Sequence, residues 1–101
     1  MQARLVMFTM GPGKRVVAEK MADQFLAAMK SLQGFKGATF LVDDRVGEYG
    51  ALSLWESKAE AEAAGEALTP DFQQALQGIL RGPPTQRQFE VYEPSPVIAG
   101  R

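Results

Sequence analysis

Between Ala3 and Met10 apolar side chains fill both parities of a short run, Leu5 and Met7 on one, Val6, Phe8 and Met10 on the other. This run ends at Gly11-Pro12-Gly13, and its composition predicts a first strand. Apolar residues on both faces place that strand at the centre of a sheet covered on both sides. From Lys14 to Leu32 the spacing becomes helical. Val17, Met21, Phe25, Ala28, Met29 and Leu32 fall on one stripe, and Glu19, Lys20, Asp23, Gln24 and Lys30 fill the remaining circumference. Gly34 follows the stripe where a left-handed C-terminal cap is favoured.

Phe35 to Val42 and Glu48 to Trp55 predict two further strands joined as a hairpin across Asp43-Asp44-Arg45-Val46-Gly47. Leu52 and Leu54 share one face of the later strand, and Tyr49, Ala51, Ser53 and Trp55 share the other. Ser57-Lys58-Ala59-Glu60 fits a capping box that opens a second helix. That helix is predicted to run to about Leu68. Thr69-Pro70-Asp71 then restarts it, with Thr69 as cap and Pro70 at the first helical position. Phe72, Ala75, Leu76, Ile79 and Leu80 give the continuation its apolar face, and Gly82-Pro83-Pro84 stops it. Thr85 to Glu93 predicts a fourth strand.

Strand, helix, strand, strand, helix, strand is the order of an α+β, ferredoxin-like βαββαβ fold with a four-stranded antiparallel sheet. Right-handed crossovers put both helices on one face of that sheet. The other face would then present apolar residues to water, which predicts a homodimer packed sheet to sheet, a dimeric α+β barrel. The expected organisation is a single domain over residues 1–93 and a flexible tail over 94–101.

The chain has 101 residues, 46% hydrophobic and 23% charged, with eleven basic against twelve acidic side chains. Near-neutral charge gives no electrostatic basis for nucleic acid or anionic lipid as partner. The apolar start is shorter than a signal-peptide core and nothing approaches a bilayer span, so the expected location is cytoplasmic. Cysteine, histidine and asparagine are all absent. Disulfides, thiolate and imidazole ligation, and Cys- or His-based catalysis are therefore excluded. The carboxylates show no ligand spacing, so neither a metal nor another cofactor is expected. Gly11-Pro12-Gly13-Lys14 is no phosphate-binding loop, because Phe8 and Arg15 stand where that pattern needs Gly and Ser or Thr.

The remaining chemistry lies on the third strand. Trp55, Tyr49 and Ser53, with Thr9 adjacent, are candidates to line a mainly apolar cavity between sheet and helices, suited to a small planar ligand. Met21, Phe25, Phe72 and Leu76 would supply further walls, and Arg87 of the fourth strand would meet a ligand oxygen. Parity alone leaves open which sheet face meets the helices.

Ala51-Leu52-Ser53-Leu54-Trp55-Glu56-Ser57-Lys58-Ala59-Glu60-Ala61, continuing to Thr69-Pro70-Asp71-Phe72, resembles the antibiotic biosynthesis monooxygenase family. There a strand ends in Trp, Ser or Asp caps an acidic helix, and a Pro-x-Phe element follows. The resemblance implies a dimeric α+β barrel. It also implies either an oxygenase that acts on anthrones or quinols without metal or flavin, or a haem-degrading enzyme. In the oxygenases the substrate carbanion reduces oxygen, assisted by Trp, Tyr, Asn and Arg side chains. Trp55 matches the motif tryptophan. Ala64 and Asp71 occupy positions where the family often has His, and no Asn is present, which argues against haem degradation. The resemblance thus points to a cofactor-independent monooxygenase for a small phenolic, quinol or anthrone-like aromatic. Trp55 and Tyr49 would be catalytic, and Thr9, Ser53, Met21, Phe25, Phe72 and Arg87 would bind substrate. The alternatives are a non-enzymatic binder of small hydrophobic molecules and a structural or stress-related dimer.

Overall fold

The computed structural model describes residues 1–94 and consists of β1 (Gln2–Thr9), α1 (Arg15–Lys30), β2 (Phe35–Asp43), β3 (Glu48–Trp55), α2 (Lys58–Ala75) and β4 (Thr85–Glu90). The four strands form one antiparallel sheet in the order β2-β3-β1-β4, so β3 and β1 are central. This is the ferredoxin-like α+β fold, and β1 lies in the sheet interior that its two-sided apolarity requires. The expected tail over 94–101 lies, but for Pro94, outside the described residues.

Register assigns the two faces. Tyr49 pairs with Phe8, Ala51 with Val6 and Ser53 with Arg4 across β1 and β3, and Ala38, Phe40 and Val42 of β2 join them. These residues look toward the helices, as the deep burial of Tyr49, Ser53 and Trp55 shows. The opposite face carries Leu5, Met7, Leu52, Leu54, Leu41 and Phe89, with no helix over it among the described residues. On β4 the helix-side positions are Gln86, Gln88 and Glu90, and every residue of that strand is exposed.

Between sheet and helices the core divides into two clusters. One gathers Met10, Ala18, Met21, Tyr49, Phe72 and Leu76. The other gathers Met29, Trp55, Ala61, Ala64 and Leu68, and Phe25 touches both.

Three sequence expectations are corrected. The break at Thr69-Pro70 is absent, and α2 runs through Pro70 to Ala75. Thr69 is no cap, because its hydroxyl donates back to the Gly65 carbonyl at 2.6 Å. α2 also ends short of Gly82, with the chain turning at Gly78 where φ is +79°. β4 stops at Glu90 rather than Glu93, because Glu90 already pairs with Gln2 at the end of β1. The cap at Ser57 holds: its Oγ accepts from the Glu60 N–H at 3.2 Å. Gly47 closes the hairpin turn at φ +71°, and its carbonyl accepts from the Met10 N–H at 2.8 Å. A side chain there would strike the Gly11 backbone, so Gly is required. Among the described residues no helix is long and apolar enough to cross a membrane.

Candidate functional site

A cavity of about 150 Å³ opens between the helix-side face of the sheet and α1, in the gap between the two core clusters. Extended strands supply its floor, where alternate residues of β1, β2 and β3 point one way: Val6 and Phe8, Phe40 and Val42, Tyr49, Ala51 and Ser53. Ala18, Met21 and Phe25 of α1, with Leu68 and Phe72 of α2, form the roof. Phe8 and Phe72 meet edge to face with centroids 5.3 Å apart, and Phe25 lies 6.0 Å from Phe72.

Few polar groups interrupt the lining. Tyr49 is 2% exposed, and its hydroxyl is the sole buried side-chain polar atom among the described residues without a hydrogen-bond partner. Tyr49 borders the cavity, while its hydroxyl is packed out of contact with water and without a partner. Ser53, 3% exposed, accepts a hydrogen bond from Trp55 Nε1 at 2.9 Å, which leaves its own O–H to donate. Arg4, Thr69 and Gln86 border one end. At the mouth Arg15 bonds Glu19 of its own helix at 3.0 Å and Asp44 of the hairpin turn at 2.8 Å. Those two carboxylates, Glu19 foremost, raise the Arg15 pKa.

The structure brings together Tyr49, Ser53, Met21, Phe25 and Phe72 of the residues expected from sequence. It separates four others. Trp55 is fully buried in the second cluster, edge-on to Phe35 at 5.4 Å, behind Ser53 and out of the cavity wall. Six residues along an extended strand span roughly 20 Å, so a cavity of one-ring size cannot touch both Tyr49 and Trp55. Thr9 and Arg87 stand on the opposite side of the sheet, with the odd-numbered residues of β1 and β4, and Arg87 lies over the Phe89 ring at 4.7 Å. Leu76 belongs to the packed core.

Arg4, Phe8, Phe40 and the Arg15 clasp escape the sequence reading. For Arg4 a signal existed: it is the one charge in a strand otherwise apolar on both parities.

No protein-family model and no curated protein matches the chain. Solved structures do match in fold. A candidate antibiotic biosynthesis monooxygenase from Nitrosomonas europaea superposes with TM-score 0.77 at 10% identity, covering 93% of this chain and 92% of that one. A monooxygenase from the gene ActVA-Orf6 of Streptomyces coelicolor, in complex with nanaomycin D, gives 0.70 at 19% identity over 93% and 92%. SnoaB of Streptomyces nogalater, a cofactor-independent oxygenase, gives 0.70 at 16% identity over 94% and 95%. The chain thus has the fold of antibiotic biosynthesis monooxygenase-like proteins.

Proposed function

We propose that the protein is a cofactor-independent monooxygenase for a small phenolic, quinol or anthrone-like aromatic, bound between sheet and helices with one oxygen on the Tyr49 hydroxyl. The observation that carries this reading is the unpartnered Tyr49 Oη, buried in the wall of a mainly apolar, ring-lined cavity. A volume near 150 Å³ suits one aromatic ring. A fused system would extend past the Arg15 mouth. The proteins of like fold from Streptomyces support the oxygenase chemistry.

The reaction balances with dioxygen alone. An activated carbon, the CH₂ of an anthrone or the ring C–H of a phenol or quinol (a CH₂ in its keto form), becomes C=O, one oxygen atom enters the product, and the other leaves as water with the two hydrogens. The substrate is the reductant. Phe8, Met21, Phe25 and Phe72 exclude water from the reduced oxygen species, while Tyr49 and Ser53 fix the ring. Trp55 acts through Ser53 as a positioning residue.

The test is oxygen uptake with a panel of hydroquinones, naphthols and anthrones. Uptake that falls at least about tenfold in Tyr49→Phe supports the reading, since a lost hydrogen bond of that size is about 1.4 kcal/mol. No uptake with any of them, by a protein that binds them, overturns it and leaves the non-enzymatic binder. One observation favours that second reading: Glu19 is the only carboxylate among the described lining residues, and it is held by Arg15.

We also propose that a second copy covers the open sheet face. Leu5, Met7, Leu52 and Leu54 form its centre, with Arg87 at the β4 edge and Asp43 and Glu48 at the far corner. A two-fold axis through the leucines packs them against their own copies.

A further inference from the structure

Resting on the cavity reading above, we propose that Arg15 selects ligands by size. Bonded to Asp44 it latches the mouth of the cavity, so that a one-ring ligand lies behind the closed latch and a fused-ring ligand binds only with the latch broken. Arg15 is the first residue of α1, which helps form the roof, and Asp44 follows β2, whose Phe40 and Val42 belong to the floor. A bond between the two therefore joins roof to floor across the gap. It runs from Arg15 Nη1 to Asp44 Oδ2 at 2.8 Å.

Local preferences do not account for a guanidinium at that position. The amide dipoles of a helix favour anions at its N-terminus and disfavour cations. Yet α1 starts at Lys14-Arg15, with no acidic residue in its first turn and no side-chain cap. The Arg15–Glu19 pair also runs in the less favourable order, since an acidic residue placed before a basic one suits the dipole better. A side chain that breaks two local rules is explained by what it reaches. Arg15 reaches across to the hairpin.

The turn holds the other half of the latch in place. Asp43 supplies the turn's own bonds: its carboxylate accepts from the Arg45 N–H at 3.2 Å, and its carbonyl accepts from the Gly47 N–H at 2.9 Å. The Gly47 carbonyl accepts from the Met10 and Gly11 N–H groups, which pins the turn to the segment leading into α1. That leaves the Asp44 carboxylate to Arg15. Opening then needs only a side-chain rotation. Glu19 holds Arg15 through a different nitrogen, Nε at 3.0 Å, so the guanidinium keeps a carboxylate when the Asp44 bond breaks. All three side chains are half-exposed. An ion pair so exposed is weak, enough to discriminate a few-fold and still yield to thermal motion, as an entrance must.

The probes are phenol, with one ring, and 2-naphthol, with two, each titrated calorimetrically against the full chain. Asp44→Ala tests the latch from outside, because Asp44 is not in the cavity lining and the turn keeps its own bonds. The variant should bind 2-naphthol about three- to fivefold more tightly than wild type, the effect of one exposed ion pair. Phenol should stay within about twofold. Salt at about 1 M, where the screening length is about 3 Å, should move wild-type protein toward the variant and leave the variant's preference between the probes unchanged. Adding Arg15→Met to Asp44→Ala should change 2-naphthol affinity less than about twofold, since the two residues act through one contact. Tightening of both probes alike, or of neither, overturns the latch and spares the cavity. A further gain of the same size in the double variant also overturns it. Failure of wild-type protein to bind either probe removes the cavity reading and this one together.

Discussion

Leaving a buried hydroxyl without a partner costs about 1–3 kcal/mol, and Tyr49 meets that description. Tyr49→Phe should therefore melt at or above the wild-type temperature while losing ligand affinity. Thermal unfolding with and without a bound phenol checks both halves, and a destabilised variant would mean the hydroxyl is bonded after all. Ser53→Ala has the opposite signature. It strands the Trp55 N–H in a fully buried site, so it should lower stability by about 1–3 kcal/mol as well as weaken binding. Sequence alone displays Tyr49, Ser53 and Trp55 as one face of one strand, and that much is correct. It does not display which end of the face is hollow, because that depends on Phe8, Phe25 and Phe72 converging from three other elements. For the same reason Thr9 and Arg87 read as neighbours of the site, although strand parity carries both to the far side.

At the scale of elements, α2 shows packing overriding a local stop signal. Thr-Pro reads as the start of a new helix, but Ala61, Ala64, Leu68, Phe72 and Leu76 form one buried stripe on both sides of Pro70. A break would have turned part of that stripe to solvent, at about 2 kcal/mol for each large side chain. A missing N–H at Pro70 costs less. Pro70→Ala restores that donor and removes a ring clash worth up to about 3 kcal/mol, partly offset by a freer unfolded chain. It should raise the midpoint of chemical denaturation with an unchanged slope. A lowered midpoint would show that the proline conformation is needed where α2 borders the cavity at Thr69.

For the whole molecule, element order and the central place of β1 are legible because they follow from periodicity and from apolarity on both strand faces. Sidedness is not, since both parities of β1 and β3 are apolar enough to face a helix layer. What settles it is the burial of Tyr49, Ser53 and Trp55 beneath the helices. The opposite face, centred on Leu52 and Leu54, makes a prediction about assembly. A stable interface buries on the order of 1,000 Å² or more, and Leu52→Lys would place two charges at its centre. The wild-type chain should sediment as a dimer, and Leu52→Lys as a folded monomer. A wild-type monomer at high concentration would remove the second copy from the picture.

The enclosure of Trp55 bears on optical work with this protein. It is the only indole in the chain, it is fully shielded from water, and its ring edge meets Phe35 rather than the cavity. Its emission should be blue-shifted in the native state and indifferent to quenchers such as iodide. It should also stay nearly constant as the cavity fills with a ligand that does not absorb in its emission band. The fluorescence signal is then a clean readout of unfolding, and a flat ligand titration would reflect where the fluorophore sits rather than an empty cavity. Occupancy is better followed through the absorbance of the ligand.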